Sequence, residues 1–201
     1  EAGQIKDGEG QNLEASAREL RYKAVFDYAN NLKDYDTYAI YTGHTLDDRI
    51  ETFYMRSMVG TGPGGFRSIC FSSDIDHIFH TLIHETREEL REYLDTNARQ
   101  FRMEGQLWRE DESNFKTDKL RTFVRHEITG KIKDFMPSAF RNLKRSMQLA
   151  EAENEFMQLQ VVKITSDPEM CKLQGDSFVL FPQFGKLHRF LPSCVVKELI
   201  E

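Results

Sequence analysis

No stretch of this 201-residue chain is apolar over the roughly 20 residues that a bilayer-spanning helix needs. No secretory h-region follows Glu1 either, so a cytoplasmic protein with no membrane partner is expected. Cysteine is scarce: Cys70, Cys171 and Cys194 are odd in number and far apart. They form neither a disulfide framework nor a metal-ligand spacing, which points to a reducing compartment. Internal repeats and low-complexity tracts are missing, which excludes solenoids and arrays. A general excess of positive charge is also missing. The net charge of −6 argues against a protein that coats nucleic acid over its whole surface.

What is present fits a globular chain, with 39% hydrophobic and 30% charged residues, enough for one large domain or one and a half small ones. The charge is uneven. Nine basic residues (Lys116, Lys119, Arg121, Arg125, Lys131, Lys133, Arg141, Lys144, Arg145) face three acids between Phe115 and Arg145, which leaves +6 there and −12 on the rest. On charge alone two readings stand: a confined polyanion-binding surface, or a solvated helical face with internal ion pairs.

The richest segment runs from Gly43 through His44, Asp47, Asp48 and Glu51 to Thr52. An apolar run, Tyr38 to Tyr41, reads as the end of a strand over 36–41, and the residues after Thr52 read as helix. A strand, a turn and a helix would place these groups at the carboxyl end of a sheet, where ligands of open α/β sheets bind. A helix starting near Asp47 sets Asp48 and Glu51 one turn apart on one face, able to meet one cationic ligand such as an ammonium or Mg²⁺. Asp47 is read as a Mg²⁺ ligand or as a cap of that helix through its side-chain oxygen.

Elsewhere, Ala17, Leu20, Ala24, Tyr28 and Leu32 predict one apolar face of a helix capped by Asn12 and ending near Asn30. Gly60 to Gly65 ends the helix after Thr52 and forms a loop. Residues 79–83 predict a strand. Thr86 and Glu89 form a capping box for a helix running to about Ala98. Helices follow over 117–135 and from a Ser138 cap through Phe156. Residues 161–164 and 178–181 predict strands, and Ser193 to Ile200 a short helix. Two good strands do not make a stable open sheet, so further strands are expected upstream of Glu1.

Four segments, in order, resemble the tRNA(Ile)-lysidine synthetases, ATP-pyrophosphatases of the PP-loop group. Asn12-Leu13-Glu14 with Ala17, Arg18, Arg21 and Tyr22 is similar to the family's N-x-E-x-x-A-R-x-x-R-Y helix. Gly43 to Thr52 is similar to G-H-x-L-D-D-Q-x-E-T. Gly60-Thr61-Gly62 with Gly65-Phe66 is similar to G-T-G-x-x-G-L. Glu110 to Asn114, followed by Arg121 and Arg125, is similar to E-D-x-S-N and R-N-x-I-R. The resemblance covers about residues 10 to 150. It implies an α/β fold: the C-terminal portion of a Rossmann-like, parallel-sheet PP-loop (adenine nucleotide alpha hydrolase-like) domain followed by a mostly helical region. The expected divisions are 1–108 for the partial PP-loop domain, 109–160 for a helical basic region contacting tRNA, and 161–201 for a small C-terminal region.

The activity implied is ATP-dependent ligation of free L-lysine to the wobble cytidine of isoleucine tRNA, through an adenylated C2 intermediate, with ATP and Mg²⁺ as cofactors. The resemblance assigns Asp48, Glu51 and Arg125 to catalysis, one of the acids serving as general base. It assigns Arg21, Arg121, Gly62 and Gly65 to substrate binding, and His44 with Asp48 to the nucleotide. The basic segment, through Lys116, Lys119, Arg141 and Lys144, would meet tRNA phosphates. Asp111 and Asn114 suit turn-shaping Asx hydrogen bonds. A homodimer is compatible with this reading. A non-catalytic tRNA- or protein-binding remnant of the fold is the alternative. Another PP-loop tRNA-modifying enzyme, such as a thiolase, is less favoured because the three cysteines lack a suitable spacing.

The chain departs from the family pattern in four places. The S-G-G-x-D-S phosphate loop is not among its residues, so a full ATP site is expected to need residues upstream. Arg49 stands where Gln is usual, His80-Thr81-Leu82-Ile83 where R-P-L-L is usual, and Thr122 where Asn follows the first arginine.

Overall fold

The computed structural model describes residues 13–32, 37–72, 77–97, 100, 107–108, 120–174, 177–188 and 190–200. Helix α1 (Leu13–Asn30) leads to strand β1 (Ile40–Tyr41) and helix α2 (Leu46–Val59). A 3-10 turn (Pro63–Arg67), strand β2 (Ile78–Phe79) and helix α3 (Arg87–Asn97) follow. Helix α4 (Leu120–Phe123) continues through a π-helix (Val124–Thr129) into α5 (Gly130–Phe135), and α6 (Ala139–Thr165) is the longest helix described. The chain ends in a hairpin of β3 (Cys171–Gln174) and β4 (Ser177–Leu180), a 3-10 turn (Pro182–Lys186) and helix α7 (Leu191–Ile200).

Strands β1 and β2 pair in parallel, Ile40 opposite Ile78 and Tyr41 opposite Phe79. Parallel pairing needs a crossover, and here α2 and the glycine-rich turn supply it. Both strands are shorter than their sequences predict. The expected strand over 79–83 stops at Phe79, because Thr81 to His84 turn and Glu85 N–H donates back to Leu82 O (3.1 Å). The turn brings the starts of α2 and α3 together, and Leu46 N–H donates to Glu85 O (2.8 Å).

Helix α2 is held by a core of Leu46, Ile50, Phe140 and Met147, with Phe53, Tyr54 and Leu143 packed around it. Ile50 and Met147 are fully buried. Each such side chain contributes about 1.5–3 kcal/mol by leaving water. This core joins α2 to α6, across the boundary expected near residue 108.

Three expectations are corrected. Residues 161–164 are the last turns of α6, not a strand. Val161 and Ile164 sit three apart on its apolar face and pack against Phe184 and Val195 in a second core, so tertiary contact overrides their β propensity. Ser138 precedes α6 without a side-chain capping bond. On α1 the face expected to be buried is open: Leu20 is 53% and Tyr28 71% exposed. The covered side of α1 carries Ala29 and Phe26, whose ring meets Tyr38 edge-on at 6.5 Å. The Asn12 cap lies outside the described residues, as do Glu110 to Lys119. Among the described residues no helix is long and apolar enough to cross a membrane.

Candidate active site

Two helices begin side by side at the carboxyl edge of the β1–β2 pair, and each is closed by its own threonine. Thr45 and Asp48 form a capping box on α2: Thr45 N–H donates to Asp48 Oδ2 (2.9 Å) and Asp48 N–H to Thr45 Oγ1 (3.5 Å). Thr86 and Glu89 form the one expected on α3, with Thr86 N–H donating to Glu89 Oε2 (2.7 Å). Asp47 therefore does not cap its own helix. Its Oδ2 accepts from Arg87 N–H (2.8 Å), at the start of α3.

Asp48 and Glu51, three apart on α2, both meet Arg87. What meets them is not a free cation site but three guanidinium groups. Arg125 grips Glu51 with two bonds, Nε to Oε1 (2.7 Å) and Nη2 to Oε2 (3.1 Å). Arg87 bridges the acids, its Nη2 2.6 Å from Asp48 Oδ1 and 3.3 Å from Glu51 Oε1. Arg121 donates to Thr52 Oγ1 (3.1 Å), with its Nε 3.8 Å from Glu51 Oε2. Glu51 is 1% exposed, whereas the arginine side chains retain 21–35%. The cluster is thus anchored inside and open on its arginine side.

Burial pushes the Asp48 carboxyl up, but the Arg87 guanidinium, with the Thr45 amide and hydroxyl, outweighs burial and holds it below the usual carboxylate range. A carboxylate held low binds a proton weakly.

The Arg125 and Arg121 side chains reach Glu51 and Thr52 from a helix with an unexpected π segment, in which Gly130 N–H donates to Arg125 O. Such segments often mark functional sites. The sequence pattern did not single out Arg87. One signal was available: an arginine in the first turn of a helix opposes the macrodipole and calls for acidic neighbours.

His44 lies at the same edge. The Thr42 hydroxyl bonds both His44 Nδ1 (2.8 Å) and His80 Nδ1, and the two imidazoles meet edge-on at 4.8 Å. One hydroxyl has one proton, so it donates to one ring and accepts from the other. His44 also lines a cleft of about 360 Å³ with Arg21, Tyr22, Val25, Tyr41 and Gly43. The structure thereby brings together two residues, Arg21 and His44, that are far apart in sequence.

The glycine-rich turn lies on the other face of α2. Arg56 Nη1 donates to Gly65 O (3.2 Å) and Ser68 O (3.1 Å), and Arg49 Nη2 to Arg67 O (3.1 Å). A Cβ on Gly65 would sit 1.6 Å from Thr61 Oγ1, while one on Gly62 would meet nothing within 4 Å. Gly65 is thus required by packing within the turn, and neither glycine is brought to Asp48 or Glu51 by any of these bonds. Arg49 is fully buried and pairs with Glu151 Oε2 of α6 (2.8 Å).

Of the residues expected to meet tRNA, Lys116 and Lys119 lie outside the described residues. Arg141 is exposed on α6, and Lys144 Nζ is tethered to His84 O (2.7 Å). Asp47 faces the orphan amide donors of α3, which favour an anion over a cation. Among the described residues no three His, Cys, Asp or Glu side chains group as metal ligands. Asp47 Oδ2 is engaged by the Arg87 amide in this structure.

The chain matches the PP-loop domain family over residues 2–132. It is 35% identical over 155 residues to the tRNA(Ile)-lysidine synthase of Thermus thermophilus, a match covering 77% of this chain and 28% of that protein. With the tRNA(Ile)-lysidine synthase of Vibrio parahaemolyticus it shares 30% identity over 148 residues, 74% of this chain and 32% of the relative. With that of Histophilus somni it shares 31% over 165 residues, 81% and 35% respectively. The chain spans about a third of the length of these curated relatives.

Proposed function

Because this chain belongs to the PP-loop domain family, and its curated relatives are named tRNA(Ile)-lysidine synthase, we propose that it is part of an enzyme that ligates lysine to the wobble cytidine of isoleucine tRNA at the expense of ATP. In the reaction the C2 oxygen of cytidine attacks the α-phosphorus of ATP and pyrophosphate leaves. The ε-nitrogen of lysine then bonds to C2, the C2–O bond breaks, and AMP departs with the oxygen.

The observation that carries this reading is the group of Asp48, Glu51, Arg87, Arg121 and Arg125 at the sheet edge where α2 and α3 begin. Arginine forks suit the anionic leaving group and the polarised base, and fixed donors act on charge as it develops. The two acids orient those forks and meet the incoming amine. Arg21 and His44 line the neighbouring cleft, where a guanidinium and an imidazole N–H suit nucleotide phosphate. Arg141 and Arg145, exposed on α6, suit tRNA phosphates.

The test is incorporation of radiolabelled lysine into an isoleucine tRNA transcript by the full-length protein. Label should enter only with ATP and tRNA both present, and AMP should form in equal amount. Glu51→Gln and Arg125→Gln should abolish incorporation while far-UV circular dichroism is kept. Salt-sensitive tRNA binding with no incorporation would reject the enzyme reading and select the binding alternative.

A further inference from the structure

The Thr42 hydroxyl stands between two imidazoles in different surroundings. His44 is half-buried and lines the cleft of about 360 Å³ with Arg21. His80, just after β2, is 5% exposed, and its backbone N–H donates to Phe71 O (2.7 Å). Both rings turn Nδ1 to Thr42 Oγ1, His44 at 2.8 Å, and they meet edge-on at 4.8 Å. With both rings uncharged, two proton orders satisfy this chain. In the first, His80 Nδ1–H donates to Thr42, the Thr42 O–H donates to His44 Nδ1, and the His44 proton sits on Nε2. In the second every proton is reversed, and His44 Nε2 is left as an acceptor. The cleft favours the first order. Of the described residues that line it, Arg21 is permanently charged and none is a carboxylate. That lining suits an anion, which bonds a ring N–H and is repelled by a lone pair.

We infer that His80 is a positioning residue for the nucleotide: through the Thr42 hydroxyl it holds the uncharged His44 ring with its proton on Nε2, so that His44 meets phosphate as a hydrogen-bond donor. The inference rests on the nucleotide cleft proposed above. What the chain supplies is a donor set before the ligand arrives. An uncharged imidazole without such a partner divides its proton between both nitrogens, and a phosphate would first have to draw it to Nε2. Thr42 cannot set the direction alone, because its single proton rotates to suit either ring. His80 can, because burial and its backbone bond hold it in place. It lies 38 residues from Thr42, so the end of β2 fixes the proton of a residue that follows β1.

The experiment is long-range proton–nitrogen correlation NMR of the histidine rings in the full-length, nitrogen-15-labelled protein at about pH 8, above the ordinary imidazole value of roughly 6.5. Each ring is assigned by its loss in His44→Gln or His80→Asn. His44 should show the Nε2–H tautomer and His80 the Nδ1–H tautomer. Calorimetry then compares ATP with adenosine, which lacks phosphate. Thr42→Val keeps the shape and removes the hydroxyl. It should weaken ATP on the order of tenfold, the loss of one hydrogen bond to a charged group, and leave adenosine unchanged. Thr42→Ser should bind ATP as wild type does. So should His80→Asn, whose amide N–H takes the place of Nδ1–H, whereas His80→Leu should match Thr42→Val. A His44 proton on Nδ1, the same tautomer in both rings, or a preference for ATP over adenosine that survives Thr42→Val would overturn the inference and leave the proposed function standing. A wild-type protein that binds ATP no better than adenosine would overturn the nucleotide reading of the cleft and the inference with it.

Discussion

Removing Glu151 should cost this protein far more than removing the arginine it pairs with. Arg49 has no exposure, and its Nη2 donates to Glu151 Oε2 (2.8 Å) and Arg67 O (3.1 Å). Among the described residues its buried Nε and Nη1 have no hydrogen-bond partner. Glu151→Ala strands a guanidinium in the interior, a loss of about 3–5 kcal/mol, toward the lower end because the Glu151 side is 23% exposed and admits some water. Arg49→Met loses two charge-assisted hydrogen bonds, each contributing about 1.5–3 kcal/mol. It also removes two unsatisfied donors, each costing about 1–3 kcal/mol, and fills the space with a flexible apolar chain. Arg49→Met also leaves Glu151 without its guanidinium, but that carboxylate, 23% exposed, can turn to water, so Arg49→Met should cost clearly less than Glu151→Ala. Urea unfolding followed by circular dichroism measures both, and the double variant should recover most of the Glu151→Ala loss. Equal losses in the two single variants, or a double variant no better than Glu151→Ala, would refute the reasoning.

Three further outcomes are expected. Asp48 is depressed below its ordinary value of 3.8, so its stabilising contribution is complete above that pH and is lost as pH falls through the lower folded value; Asp48→Asn should flatten the acid limb of a stability-versus-pH curve below about pH 4. Gly65→Ala should destabilise by about 1–3 kcal/mol, since its Cβ overlaps the Thr61 side chain, whereas Gly62→Ala should stay within about 0.5 kcal/mol in the same urea assay. The Cys70 thiol is pushed up to about 11 by burial first and then by Glu151, so at pH 8 it should resist a thiol-specific disulfide reagent until the protein unfolds, while the half-buried Cys194 reacts in the native state.

What the sequence revealed about the site was whatever a single helical turn encodes. Asp48 and Glu51 share a face because they are three apart, and Thr86 with Glu89 makes a capping box because both partners lie within four residues. The partners of those acids are a different matter. Arg87 lies 39 residues from Asp48 and Arg125 74 from Glu51, and nothing in local spacing says that α3 and the π-helix converge there. Secondary structure failed for the same reason: Val161 to Ile164 has strand composition, yet contact with Phe184 and Val195 keeps it helical. The departures from the family pattern carry this furthest. Arg49 for Gln and His80 for Arg stand in the sequence as isolated mismatches. In the fold Arg49 meets Glu151, 102 residues away, and His80 meets Thr42, 38 residues away. Each changed residue has a distant polar partner that suits its chemistry, a carboxylate for a guanidinium and a hydroxyl for an imidazole. Changes at Glu151 or Thr42 should therefore be felt at Arg49 or His80, and a variant that restores the family residue at one position alone would leave its present partner without the group it now bonds.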